Sequence, residues 1–265
     1  MLGDVGASAR CAEGHSFDYA RSGYLNLVRR TGRRARVGDT PAMVQARAEL
    51  LAAGHYDRLT EAVARAAAAA APTASVLAEL GSGTGHYLAA SVDRLRELGR
   101  PPECAFGFDL SKAAAAHSAR RRRDIGFVVA DVEALIPLRD SAADVVLSVF
   151  APRPAPELAR VVRREGELVA AFAGPRHLER LRERLDLIGV REQKLDRLAE
   201  RLRPAFELVA AVPLEYEVEL TEEDARHAVL MGPNARHDHA LARLDGPLGD
   251  LVSVFVSRFR RVQDA

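Results

Sequence analysis

The stretch Glu79-Leu80-Gly81-Ser82-Gly83-Thr84-Gly85-His86-Tyr87 has the composition and spacing that point most directly to chemistry. It follows an apolar run, Val76-Leu77-Ala78, and precedes Leu88-Ala89-Ala90-Ser91-Val92, which can open a helix. At a strand-to-helix turn, an acidic residue followed by G-x-G-x-G lets the backbone approach an adenosyl group, because a Cβ there would clash. A pyrophosphate fingerprint would read G-x-G-x-x-G. Here the third glycine comes one residue early, which favours an S-adenosylmethionine (SAM) site over a dinucleotide site. Glu79, Gly81, Ser82, Gly83, Gly85, His86 and Tyr87 are therefore candidate cofactor contacts. A purely structural Gly-rich turn is the competing reading.

Later residues strengthen the cofactor reading. Asp109 ends the next apolar run and can accept hydrogen bonds from both ribose hydroxyls, with Leu110 beside it; it could equally cap the following helix. Asp131 and Val132 follow the third run, where a polar side chain can meet the adenine amino group and an apolar one its ring; a solvated loop aspartate is the alternative. Phe150 ends the fourth run, a position that faces the reactive sulfonium and the substrate.

These positions need a scaffold of alternating strands and helices. Strands are predicted at 76–80, 105–109, 125–129, 145–149 and 167–172, with helices at 88–98, 112–122 and 156–163 between them. A helical stretch from Thr40 to Ala71 precedes them, with Thr40 as N-cap, Pro41 in the first turn and Gly54 dividing it in two. After them come a helix at 177–187, strands at 206–212 and 216–220, a helix opened by Thr221 with an imperfect capping box to Asp224, and a last strand at 251–260. Late antiparallel strands beside a parallel sheet suit the Rossmann-like, seven-stranded α/β fold of class I SAM-dependent methyltransferases.

With 265 residues, 48% of them hydrophobic, the chain fits one large domain and a small appendage. Residues 1–37 read as that appendage and 38–265 as the main domain. No window is long and apolar enough for a membrane span, and two cysteines give no disulfide framework. The chain is expected to be soluble and cytoplasmic. A net charge of +1 gives no global pull toward nucleic acid, so such binding must come from local patches.

Residues 11–27 read C-A-E-G-H-S-F-D-Y-A-R-S-G-Y-L-N-L. They resemble the end of the N-terminal zinc module of the 23S ribosomal RNA guanine-N1-methyltransferases. The likeness continues through Gly38-Asp39-Thr40, Ala53-Gly54-His55-Tyr56, the Gly-rich loop, Gly107-Phe108-Asp109, Gly174-Pro175-Arg176-His177 and Met231-Gly232-Pro233-Asn234. The last motif looks most like the branch that contains tylosin-resistance methyltransferases. The resemblance implies methyl transfer from SAM to N1 of a guanine in a 23S rRNA hairpin lining the peptide exit tunnel, near where macrolides bind. It also implies that a homodimer can form.

The chain departs from that pattern at the metal. The family's zinc is held by Cys-x-x-Cys followed by Cys-x-x-x-His, and only Cys11 and His15 are present here. Two ligands do not make a tetrahedral structural site, and Cys104 is expected to be a small buried hydrophobe. Either the true start lies upstream or the metal has been lost, and no bound zinc is expected. A second departure, Arg164-Glu165-Gly166-Glu167, reads as a surface turn.

Arg29, Arg30, Arg33, Arg34 and Arg36 place five arginines in eight residues, close after Tyr24. Charge with a neighbouring aromatic suits an RNA hairpin, although a basic loop would read the same way. Arg120–Arg123 fit a solvated helix C-terminus instead. Methylating guanine N1 requires removal of a proton, and Asp39 is the candidate base; His55 is a candidate to close over the methionine end of the cofactor. Because the zinc set is incomplete, a small-molecule N- or O-methyltransferase derived from this family is the alternative function.

Overall fold

The computed structural model describes residues 3–5, 8–11, 14–28, 37–72, 75–187, 189, 193–232, 241 and 243–262. Strands β1 (Gly3–Val5), β2 (Ser8–Arg10) and β3 (Ser16–Asp18) form a small antiparallel sheet. β4 (Leu25–Asn26) leaves it and pairs elsewhere. Thr40 then opens α1 (Pro41–Ala52), its hydroxyl accepting from the Met43 amide at 3.3 Å. Gly54, at φ +84°, turns the chain into α2 (Asp57–Ala70).

From there strand and helix alternate: β5 (Val76–Leu80), α3 (His86–Glu97), β6 (Cys104–Asp109), α4 (Lys112–Arg121), β7 (Gly126–Val129), β8 (Ala143–Val149), α5 (Ala155–Val161) and β9 (Val162–Ala173). The chain continues through α6 (Glu179–Leu185), α7 (Lys194–Leu202), β10 (Phe206–Leu220), α8 (Glu222–Leu230) and β11 (Leu248–Arg261). The main sheet runs β10-β11-β9-β8-β5-β6-β7-β4. β9 to β4 are parallel, β11 is antiparallel to β9, and β10 is antiparallel to β11. This is the expected seven-stranded order with β4 added as an eighth strand. The chain runs outward from β5 to β7 and later outward from β8 to β9, so a topological switch point opens at the carboxyl ends of β5 and β8.

Alternation along the central strands explains the two-sided core. Leu77, Val145, Leu147 and Val169 pack with α1, α2 and α3 on one face, while Ala78, Leu80, Val146 and Leu168 pack with α5 and α7 on the other. No helix among the described residues is long and apolar enough to cross a membrane.

Several expectations change. The two late strands expected at 206–212 and 216–220 form the single strand β10, although Pro213 lies within it. β10 is an edge strand, where a missing N–H need not break the sheet. The 177–187 helix starts only at Glu179, because Leu178 sits at φ +47° and His177 is held against Ser253. α7 was not expected at all. The 164–167 turn is part of β9: Arg164 and Glu165 are exposed, but Glu167 is buried and paired with Arg258 and Arg260 of β11. Cys104 is half-buried rather than a core residue. The capping box at α8 is complete, with Thr221 and Asp224 bonded reciprocally.

Candidate active site

The Gly-rich loop leaves β5 at the switch point. Gly81 has φ +63°, and a Cβ there would stand 2.7 Å from the Ala151 Cβ, so a larger residue would be strained and blocked together. Gly85, at φ +72°, precedes α3 and packs under the Phe127 ring. The Ser82 amide donates to the Phe108 carbonyl at 3.0 Å, locking the loop to β6.

Glu79 is buried at the end of β5, and its carboxylate accepts from the Leu88 amide at 3.2 Å. Burial pushes its pKa up to about 8, with Asp109 adding to the rise and the Leu88 bond and Arg47 opposing it. Asp109 ends β6 with one oxygen on the Gly83 amide (2.8 Å) and the other on the Ser111 amide (2.7 Å). Burial raises its pKa too, against those two bonds. Each carboxylate oxygen has a second lone pair, so ribose hydroxyls can still be accepted. The helix cap there is Ser111, whose hydroxyl accepts from Ala114, so Asp109 is not needed as N-cap. At the end of β7, Asp131 accepts from the Glu133 amide at 3.1 Å, and Val132 is buried beside it.

A cavity of about 620 Å³ opens from this loop and runs beneath α6, α7 and α8. Of the sequence-predicted contacts, Glu79, Gly81, Ser82, His86, Tyr87 and Phe150 line it. Gly83 and Gly85 shape the loop behind it, while Asp109, half-buried Leu110, Asp131 and Val132 stand at the neighbouring strand ends. His86 approaches Thr60 Oγ1 at 2.8 Å, and burial lowers its pKa. Burial carries the Tyr87 hydroxyl well above its ordinary value.

Phe150 has φ +52°, unusual for a bulky residue, and the residue is 44% exposed. It stacks on His177 at 5.7 Å and meets Tyr56 edge-on at 6.4 Å. Tyr56 O–H and His177 Nε2 are 3.4 Å apart, and His177 Nδ1 accepts from the Ser253 amide at 3.3 Å. His177 is pushed down to about 4, by burial first and then by Arg182 and Lys194, so its imidazole is neutral. Burial raises Tyr56.

Asp39, His55 and Tyr24 do not face the cavity either. Asp39 binds Arg47 at 2.7 Å, and its backbone carbonyl accepts from Ser111 Oγ at 2.6 Å. His55 lies 3.1 Å from Asp224, within ion-pair distance but off hydrogen-bond alignment. Tyr24 is half-buried against the core beside β4. Arg29, Arg30, Arg33, Arg34 and Arg36 lie outside the described residues. Near β3, Cys11 Sγ is 3.4 Å from His15 Nδ1, and no third metal-ligating residue joins them among the described residues. That pair does not fit a four-ligand zinc site.

Sequence reasoning missed the cavity's cations. Arg47, Arg153, Arg182, Lys194, Arg197 and Arg201 line it, against one carboxylate among the described residues, Glu79. Their positions are scattered from α1 to α7, so no local run of charge betrays them. Arg47, in the middle of α1, carries no chemical signal of its own in the sequence.

Residues 78–170 match the family model for a methyltransferase domain. A solved structure, the YcgJ protein of Bacillus subtilis, superposes with a TM-score of 0.55, covering 77% of this chain and 99% of that one at 12% identity, which shows the fold. The 23S rRNA (guanine(748)-N(1))-methyltransferase of Streptomyces fradiae is 42% identical over 86% of this chain and 80% of its own length. A protein of Micromonospora griseorubida, provisionally named a 23S rRNA (guanine-N(1)-)-methyltransferase, is 37% identical over 96% of this chain and 90% of its own length. On that identity and coverage, the chain belongs to the 23S rRNA guanine-N1-methyltransferase family.

Proposed function

We propose that this SAM-dependent methyltransferase methylates N1 of a guanine in 23S rRNA, in a hairpin lining the peptide exit tunnel. The observation that carries the reading is the charge of the cavity. A chain with net charge +1 gathers, among the described residues, six cations around a cavity with a single carboxylate. That suits a polyanionic substrate that must bring one base to the bottom.

SAM supplies the methyl group. Glu79 and the Gly81–Gly85 loop are assigned to its methionine and sulfonium end, Asp109 with Leu110 to its ribose, and Asp131 with Val132 to its adenine. Phe150 offers an exposed ring on which a flipped guanine can stack. Tyr24 and the 29–36 arginines are assigned to the RNA, as part of a recognition module over residues 1–37. Residues 38–265 form the methyltransferase domain in this reading. A homodimer is supported by the edge position of β10 with its exposed Leu208, Val209 and Val212. The cytoplasm is where such a substrate is met, and reduced macrolide sensitivity of the host would follow.

The test is transfer of labelled methyl groups to a 23S rRNA transcript. The expected product blocks reverse transcription at one guanine, because N1 lies on the Watson–Crick edge. The small-molecule alternative draws on the Cys11–His15 pair, which no third metal-ligating residue joins among the described residues. Tight SAM binding with no transfer to RNA, but transfer to a small heterocycle, would establish it and refute the rRNA reading.

A further inference from the structure

Arg153 is the cation of this cavity whose surroundings account for it least. Its Nη2 donates to the Ala171 carbonyl at 2.9 Å and the Ser148 carbonyl at 3.4 Å, and its Cζ lies 5.5 Å from the centre of the Phe172 ring. Its Nε is buried with no hydrogen-bond partner. Buried donors ordinarily have acceptors, and buried charges ordinarily have counter-charges. The charge that acts on it is a second cation, Arg201; burial and Arg201 together push its pKa down to about 10.

Its position is fixed relative to Phe150. The Phe150 amide donates to the same Ala171 carbonyl, at 2.9 Å. A base stacked on Phe150 therefore meets a guanidinium anchored to the same strand end. Among the described residues no group around Phe150 is a ready base: His177 accepts through Nδ1 and is depressed by burial, Tyr56 is raised, and Asp39 is turned to Arg47. Glu79 is engaged with Leu88. The other charges facing this end among the described residues are cationic, Arg182 on α6 and Lys194, Arg197 and Arg201 on α7. The site is built to hold negative charge rather than to pull a proton.

We propose that Arg153 is a catalytic residue that donates to guanine O6 and stabilises the negative charge spread over O6 and N1 once the N1 proton has left. The inference rests on the guanine-N1 reading above. In the balanced step the N1 proton passes to water, and the electron pair left on N1 forms the bond to the methyl carbon. The methyl–sulfur bond breaks with its pair on sulfur, giving a neutral thioether and a neutral methylated base. Arg153 keeps its own proton throughout.

The test compares single-turnover methylation of a 23S rRNA transcript by wild type, Arg153→Met and Arg153→Lys from neutral to alkaline pH. Arg153→Met should lose on the order of 10²- to 10³-fold at neutral pH, the usual cost of removing an oxyanion donor. The gap should narrow as pH rises, because hydroxide then removes the proton unaided, while SAM affinity stays at the wild-type value. Arg153→Lys should recover part of the rate. A loss that is equal at every pH, or no loss, would overturn the proposal. Where Arg153→Met fails to fold, Arg153→Lys carries the same comparison, and a pH-independent deficit there overturns it equally. Wild-type enzyme that leaves the RNA unmethylated defeats the substrate reading itself, which separates the two failures.

Discussion

Arg47 Nη2 lies 2.7 Å from Asp39 Oδ2 and also donates to the Met231 carbonyl, so one guanidinium joins the segment before α1 to the end of α8. It also stands over Gly83, where an added Cβ would come within 3.0 Å of it. Asp39 thus positions a cation over the cofactor loop. Asp39→Asn should weaken SAM binding several-fold, roughly 1 kcal/mol for a partly exposed pair. Its pH–rate profile should keep the wild-type shape. A collapse by orders of magnitude with a changed profile would restore Asp39 as the base.

Glu79 links stability to pH between about 4.5 and about 8. Its pKa in the fold is about 8, above the ordinary 4.5. A carboxyl raised by folding favours the protonated form, so the stability it contributes is present at low pH and lost as pH rises through about 8. The melting temperature of the ligand-free protein should fall over that range, and Glu79→Gln should flatten the fall. A cationic ligand beside Glu79 offsets the cost, so SAM should stabilise the protein more as pH rises. Equal slopes in wild type and variant would remove Glu79 as the cause.

His177 acts on the acid side with the opposite sign. Folding depresses its pKa from 6.5 to about 4. Its contribution is present above 6.5 and is lost as pH falls from there through about 4, on the order of 3 kcal/mol in all. His177→Asn, whose side-chain oxygen can still accept from the Ser253 amide, should show a shallower loss in acid denaturation. A wild-type slope in that variant would place the acid sensitivity elsewhere.

Gly85 and Gly99 make a matched pair, with φ +72° and +69°. A Cβ on Gly85 would meet the Phe127 ring at 2.9 Å, whereas nothing lies within 4 Å of one on Gly99. Gly99→Ala should cost about 1 kcal/mol from backbone strain alone. Gly85→Ala should cost more and should also weaken SAM binding. Thermal unfolding and SAM titration of both variants test this; equal effects would show that the close packing at Gly85 does not matter.

The sheet and the Gly-rich loop were legible because local patterns encode them. Val76–Leu80 with its glycines, Thr40 before its helix and Asp109 at the end of its strand all read correctly within a few residues of sequence. The cationic cavity was not, because it is assembled across the fold. Arg47, Arg153, His177 and Arg201 share one cavity only after β8, β9, α6 and α7 have packed. Pro213 misled the strand reading because sequence does not say which strand will lie at an edge. Glu167 looked like a turn residue because its two arginine partners, Arg258 and Arg260, come about ninety residues later and are brought opposite only by sheet pairing.

β4 is only Leu25–Asn26, yet it pairs with Val128 and Val129, and the Leu27 amide adds a further bond to the Val129 carbonyl. Arg123 reaches back to the Ser22 carbonyl from the other side. Peeling away the first part of the chain therefore uncovers the backbone that leads straight into Asp131. In native-state hydrogen exchange the two segments should open as a single foldon. Whatever grips the N-terminal arm thereby also steadies the loop that carries Asp131 and Val132, two places that the sequence lists a hundred residues apart.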